Sequence, residues 1–413
     1  MHADSWDNSY KKVAKGRHNM EAKETIRLYD QNAYETEFEA EVVACEEITG
    51  KDKKSYEVIL DQTLFFPEEG GQSPDMGTIN DMEVRDVQIR DQVIRHTMDE
   101  PIAVGTKVKG KVDWQHRFYN MQQHTGEHIF SGIVHNRFGY DNVGFHLSDS
   151  VVTMDFNGVI PAEELNDIED EVNLAIAKNL PVEVTYPSKE ELKDLDYRSK
   201  IEIEGQVRIV TIPGYDVCAC CAPHVKHTGE IGMLKVMSMQ NYKGGVRISI
   251  LCGFRALEAF RQKAEIITEL MTQFSTNQEA LVDNVVKLKN NSQNYKTQLA
   301  EAKQELMDYK IAALPTDIDN AVLFEQDLDT PIMRAVVNKL VEKYKRVSAL
   351  FVGDDESGYN FIIGSQNADC RLIAAALKNK LEARGGGSNV MVQGSVKADK
   401  AAIQRVLDDI LEV

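Results

Sequence analysis

The chain has 413 residues, 42% of them hydrophobic and 27% charged, a globular balance that excludes collagen-like, mucin-like and wholly disordered classes. Lys and Arg number 47 against 66 Asp and Glu, for a formal charge of −19, which argues against a general polyanion binder. No apolar run approaches the ~18 residues that span a bilayer, and the N-terminus has no apolar stretch of a secretory signal. Six cysteines stand at 45, 218, 220, 221, 252 and 370, too sparse for a disulfide framework, so a reducing, cytoplasmic setting is expected.

Residues 1–21 lack apolar periodicity and read as a loose tail. From Thr36 onward, FEAEVVAC, SYEVIL, GTIN, MEVRDVQI, QVIRHT and GTKVKGKVDW are short β-branched runs cut by turn residues. That spacing predicts a small β-barrel domain over 22–114. Residues 115–135 and 161–180 switch to helical character, the second stretch opening with Pro161 and acidic residues. VEVTYP, EGQVRIVTIP, IGMLKVMSM and GGVRISIL return to strand patterns. The fold class expected is α+β, with an α+β domain over 115–255 behind the barrel.

No Gly or Pro falls between Gly253 and Pro315. One seven-residue ladder runs Phe260, Ile267, Phe274, Leu281, Leu288, Tyr295, Ala302, Tyr309. A second runs Ala264, Met271, Gln278, Val285, Ser292, Leu299, Leu306. A strict heptad predicts a coiled coil over 256–312, read as one long helix of roughly 85 Å and as the contact of a homodimer. The alternative is a helical hairpin turning at Asn290–Asn291. Residues 313–413 read as a compact α/β module, with a glycine loop at 385–387 that joins helix to strand. That order is the reverse of a phosphate loop, so no nucleotide site is expected.

Three constellations carry chemistry. In QQHTGEHIF, His124 and His128 stand one helical turn apart, suited to two ligands on one zinc. Glu127 completes HxxEH, the inverted motif of a zinc peptidase class, and is a candidate catalytic base. Cys220 and His224, in CCAPH, form a second half-site of two zinc ligands. Cys218 and Cys221 flank Cys220 as rival ligands. In FFPEEGGQ, Gly70 and Gly71 allow close backbone approach and Gln72 offers a two-sided amide. Alone, that segment reads as a plain turn between strands.

Together FFPEEGGQSPDMG, MQQHTGEHIF, EGQVRIVTIPGYD and CACCAPHVKHTGEIG resemble, in order and character, the alanyl-tRNA editing family, in its long AlaX type. The same segments are similar to the editing domain of alanyl-tRNA synthetase over about 25–255, and the C-terminal module resembles that enzyme's DHH-associated domain. The family's HxxxH and CxxxH zinc pattern falls on His124, His128, Cys220 and His224. The usual CGGTH is CCAPH here, a departure that leaves the ligands alone. The resemblance places Thr63, with Gly70, Gly71 and Gln72, near the substrate amino acid. It implies one zinc per chain and hydrolysis, in trans, of mischarged tRNA(Ala), chiefly Ser-tRNA(Ala) and secondarily Gly-tRNA(Ala). Alanine activation with ATP is not expected. The competing readings are a tRNA-binding or scaffold protein with a structural zinc, and an HxxEH peptidase. Lys107, Lys109, Lys111, Arg117, Arg198 and Lys200 are the expected phosphate contacts.

Overall fold

The computed structural model describes residues 24–49, 54–148, 152–199 and 205–411. The expected tail over 1–21, and Lys200, lie outside the described residues. The chain divides into two compact units, residues 1–266 and 267–413. The fold is mixed α+β.

In the first unit, six strands close into a barrel: Glu37–Thr49, Lys54–Leu60, Val93–Met98, Met82–Arg90, Gly77–Ile79 and Lys107–Val112, in that order around it. The period-two pattern is visible in Lys107–Val112, where lysines face out while Val108 and Val112 face in. Phe65, Phe66, Val58, Ile79 and Ile94 fill the interior.

The rest of the first unit is built around one helix, Trp114–Phe138. Asp113 caps it by accepting from the His116 N–H, and Gly139, at φ 69°, ends it. Residues Asn120–Val134 are buried without a break, so this is a central helix rather than a surface one. A four-stranded sheet lies against it, ordered Leu234–Tyr242, Gly245–Cys252, Val152–Phe156, Asn142–Leu147. The helix Glu164–Ala177 packs on the same core. Glu183–Thr185, Ile209–Ile212 and Asp216–Ala219 form a small third sheet. Buried polar residues on the central helix are matched to backbone: Gln123 donates to the Cys252 carbonyl and accepts from the Cys252 N–H. Among the described residues no helix is long and apolar enough to cross a membrane.

The single connector helix expected over 256–312 is two helices, Gly253–Phe274 and Gln278–Ala313. Ser275 adopts φ 49°. Its N–H bonds the Thr272 carbonyl, and the Thr276 N–H bonds the Met271 carbonyl. That is the double bond of a Schellman stop, with serine where glycine usually stands. Asn277 then caps the second helix by accepting from the Ala280 N–H. Asn290 and Asn291 are helical, so no hairpin turns there.

The second unit carries a five-stranded sheet ordered Ala321–Glu325, Ser348–Asp354, Gly358–Gly364, Met391–Val396, Arg384–Gly387. The helices Thr330–Lys343, Cys370–Leu381 and Lys400–Leu411 cover it. Arg384–Gly387, expected as a loop, is an exposed edge strand paired with Met391–Val396. Glycine punctuates loops but does not forbid an extended edge.

Candidate metal centre

Two segments far apart in sequence meet at the central helix. His124 and His128 come from its middle, Cys220 and His224 from the turn after the strand Asp216–Ala219. The ligand atoms of these four lie within 4.8 Å of one another. Cys220 Sγ is 3.5 Å from His124 Nε2 and 3.4 Å from His224 Nε2. Four-coordinate zinc, with Zn–N near 2.0 Å and Zn–S near 2.3 Å, sets such ligand separations at about 3.3–3.7 Å. Three imidazoles and one thiolate are the donor types that zinc takes. The four therefore fit such an ion on geometry and chemistry alike.

The far nitrogen of each imidazole is held. His124 Nδ1 donates to Gln72 Oε1 at 2.7 Å and His128 Nδ1 to Asp216 Oδ2 at 2.8 Å, while His224 Nδ1 shares a hydrogen bond with the Thr125 hydroxyl at 3.0 Å. The first two partners can only accept, which fixes the tautomers of His124 and His128 that leave Nε2 free to ligate. Burial opposes a charged Cys220, but His124 beside it, by charge and by hydrogen bond, holds its thiol well below the ordinary range. Burial pushes His224 down to about 3, so its ring is neutral.

Glycine decides how closely these segments approach. A Cβ on Gly71, at φ 84°, would sit 2.3 Å from the Phe145 carbonyl oxygen. Gly132, in the central helix, lets the neighbouring strand come close, since its Cβ would sit 2.3 Å from the Tyr215 carbonyl oxygen. Mid-helix glycine costs about 1 kcal/mol, and here it brings Asp216 to His128. Arg117 fastens the FFPEEGGQSPD loop to the helix. It is fully buried, donates to Asp75 from Nε at 2.9 Å, and reaches the Ala33 carbonyl from Nη1 at 3.0 Å. Asp75 in turn accepts from the Phe66 N–H.

The sequence candidates fall out as follows. His124, His128, Cys220 and His224 come together, with Gln72 bonded to one of them and Gly70 beside Cys221. Cys221 lies outside the group, its thiol raised by burial. Cys218 is buried near His128 and Asp216. Glu127 does not join the ligands: its Oε1 accepts from Ser131 and Asn142, each at 2.6 Å. Thr63 is buried in the barrel, its hydroxyl on His96 Nε2 at 3.0 Å and accepting from the Phe65 N–H. Two of the expected phosphate contacts need correction: Arg117 and Arg198 are held by Asp75 and Asp216, because a buried cation requires a counter-charge. Lys107, Lys109 and Lys111 are exposed on the barrel surface, the last two beside Glu39 and Glu37.

Sequence reading missed Asp216, Thr125 and Arg208. Asp216, Cys218 and Cys220 recur every second residue, which on a strand puts them on one face, so the first was legible. Arg208 donates to the Cys220 and Ala222 carbonyls and so shapes the ligand turn. Neither Cys221 nor Ala222 needs positive φ, so CCAPH makes the turn without the family's glycines.

Residues 2–116 match the family described as tRNA synthetases class II (A), and residues 207–249 the Threonyl and Alanyl tRNA synthetase second additional domain. An alanine–tRNA ligase of Ignicoccus hospitalis is 32% identical over 74% of this chain, which spans only 34% of that enzyme. The alanyl-tRNA editing protein Aarsd1 of Bos taurus is 26% identical, over 92% of this chain and 97% of its own length. The editing protein AlaX-L of Pyrococcus horikoshii is 27% identical, over 90% of this chain and 95% of its own. Over about nine-tenths of its length, the chain is similar to these alanyl-tRNA editing proteins at 26–27% identity.

Proposed function

We propose that this chain is a trans-editing deacylase, hydrolysing the ester that joins a wrong amino acid to tRNA(Ala). Serine is the main substrate amino acid and glycine the second. A synthetase pocket cannot fully reject either by binding alone, so a second site removes the error. The observation that carries the reading is the four-residue group His124, His128, Cys220 and His224, on a chain similar to editing proteins over about nine-tenths of its length. Zinc, one per chain, would supply a positive charge that holds and polarises the substrate ester or amino group.

The chain's own residues do the rest. Gln72 spends Oε1 on His124, and its Nε2 is buried without a partner among the described residues. That N–H donor is the group we assign to the substrate, with the Gly70–Gly71 backbone as the wall beside it. The two hydrogen bonds on Glu127 support a role in fixing Asn142 and Ser131 rather than in taking a proton from water. They also weigh against the peptidase reading, which needs that carboxylate at the metal. Thr63 selects the substrate hydroxyl by exchanging its bond to His96 for one to the substrate. A homodimer through the connector helices is part of the proposal.

Four protein ligands complete a tetrahedron, and closed sites are usually structural. That observation favours, as second reading, a tRNA-binding protein with a structural zinc. Incubation with Ser-tRNA(Ala), Ala-tRNA(Ala) and a peptide library separates the readings. Release of serine with alanine spared supports editing. Tight tRNA binding without release supports the second reading, and peptide cleavage overturns both.

A further inference from the structure

Arg198, Asp216 and His128 form a buried line that ends at the ligand group. Asp216 Oδ2 accepts from His128 Nδ1 at 2.8 Å. Arg198 reaches the same carboxylate twice, from Nε to Oδ1 at 2.7 Å and from Nη2 to Oδ2 at 3.0 Å. Asp216 is 6% exposed and His128 3%. The other two histidines hold their far nitrogens on neutral partners, the Gln72 amide and the Thr125 hydroxyl. His128 alone has a carboxylate there. His128, Asp216 and Cys218 also lie within 4.8 Å of one another, the donor set of a second metal. Arg198 already takes both oxygens of Asp216, so that corner is an ion pair.

We propose that Asp216, clamped by Arg198, is the positioning residue that orients His128 and sets how tightly the chain holds its metal. The proposal rests on the reading of the four ligands as a zinc site. An acceptor on the far side of a ligating imidazole fixes its tautomer, and a charged acceptor makes the ring a stronger donor. Arg198 balances the buried charge, since an uncompensated carboxylate in such a place is costly. It also occupies both oxygens, which keeps the carboxylate from swinging onto the metal as a fifth ligand.

The test uses the full chain, stripped of metal and titrated with zinc against a chromophoric chelator. Wild type is expected to take one zinc per chain. Asp216→Asn keeps the size and the acceptor atom but loses the charge, and its zinc affinity should fall about ten- to a hundredfold. That variant strands Arg198, so Asp216→Asn/Arg198→Met is measured beside it. The double variant should stay as weak as the single one, and it carries the test alone if the single variant does not fold. With cobalt in place of zinc, the thiolate charge-transfer band of Cys220 should persist in both while the ligand-field bands shift. A general loss of structure would remove both signals. Wild-type affinity in Asp216→Asn, or its return in the double variant, overturns the proposal while leaving the zinc reading standing. A wild-type chain that binds no zinc overturns both.

Discussion

Gln72 does two jobs with one amide, and a single substitution separates them. Gln72→Glu keeps an oxygen for His124 Nδ1 and removes the unpartnered N–H. Zinc content should hold while deacylation falls roughly 10²-fold, the usual loss for one preorganised donor. Equal losses of zinc and activity would mean that Gln72 serves only the ligand. In the barrel, burial lowers His96 to about 4 from an ordinary 6.5. Between those values the unfolded chain binds the proton and the folded chain does not, so stability is lost as pH falls through that window. The span corresponds to roughly 3 kcal/mol. Metal-free protein, unfolded in urea at pH 7 and pH 4.5, should show this slope, and His96→Gln should reduce it by about one proton. An unchanged slope would assign the acid sensitivity elsewhere. The ligand residues were legible because HxxxH and CxxxH each encode one local geometry. Thr125 and Arg208 were not, because a helical threonine and an arginine just ahead of a strand have no pattern that names a distant partner.

At the scale of elements, the barrel strands were read from short β-branched runs cut by turn residues. In the second unit, whose α/β character was legible, AVLFE, SALFVGD, YNFIIG and MVQGSV lie on strands. The connector was misread because the heptad stays in register from Phe274 to Leu281, straight across the stop. The signal was Ser275-Thr276-Asn277, three residues that compete for backbone hydrogen bonds and favour caps. Ser275 carries a left-handed backbone that glycine adopts freely, so Ser275→Gly should stabilise the second unit by up to about 1 kcal/mol. Asn277→Ala should cost about 1 kcal/mol through the lost cap. Thermal unfolding of the two variants checks the pair, and a destabilising Ser275→Gly would contradict this account of the break.

For the whole molecule, the charge of −19 and the unpaired apolar seam matter most. Met307 and Ile311 of the second connector helix are buried against its own unit. Leu288, Tyr295 and Leu299 are 57%, 67% and 55% exposed, along one ladder and the other. An apolar heptad face of that length is what a second helix covers. Light scattering should give about twice 46.5 kDa for the full chain, and Leu288→Glu/Tyr295→Glu should return one mass. A monomeric wild type would end the dimer reading. The central claim is that four ligands from two distant segments make a zinc-dependent ester hydrolase. Its most direct test is single-turnover hydrolysis of Ser-tRNA(Ala) beside metal analysis, on wild type, His128→Ala and Cys221→Ala. Wild type and Cys221→Ala should hold one zinc and release serine, while His128→Ala should lose most of both. Full zinc and undiminished hydrolysis in His128→Ala would contradict the account.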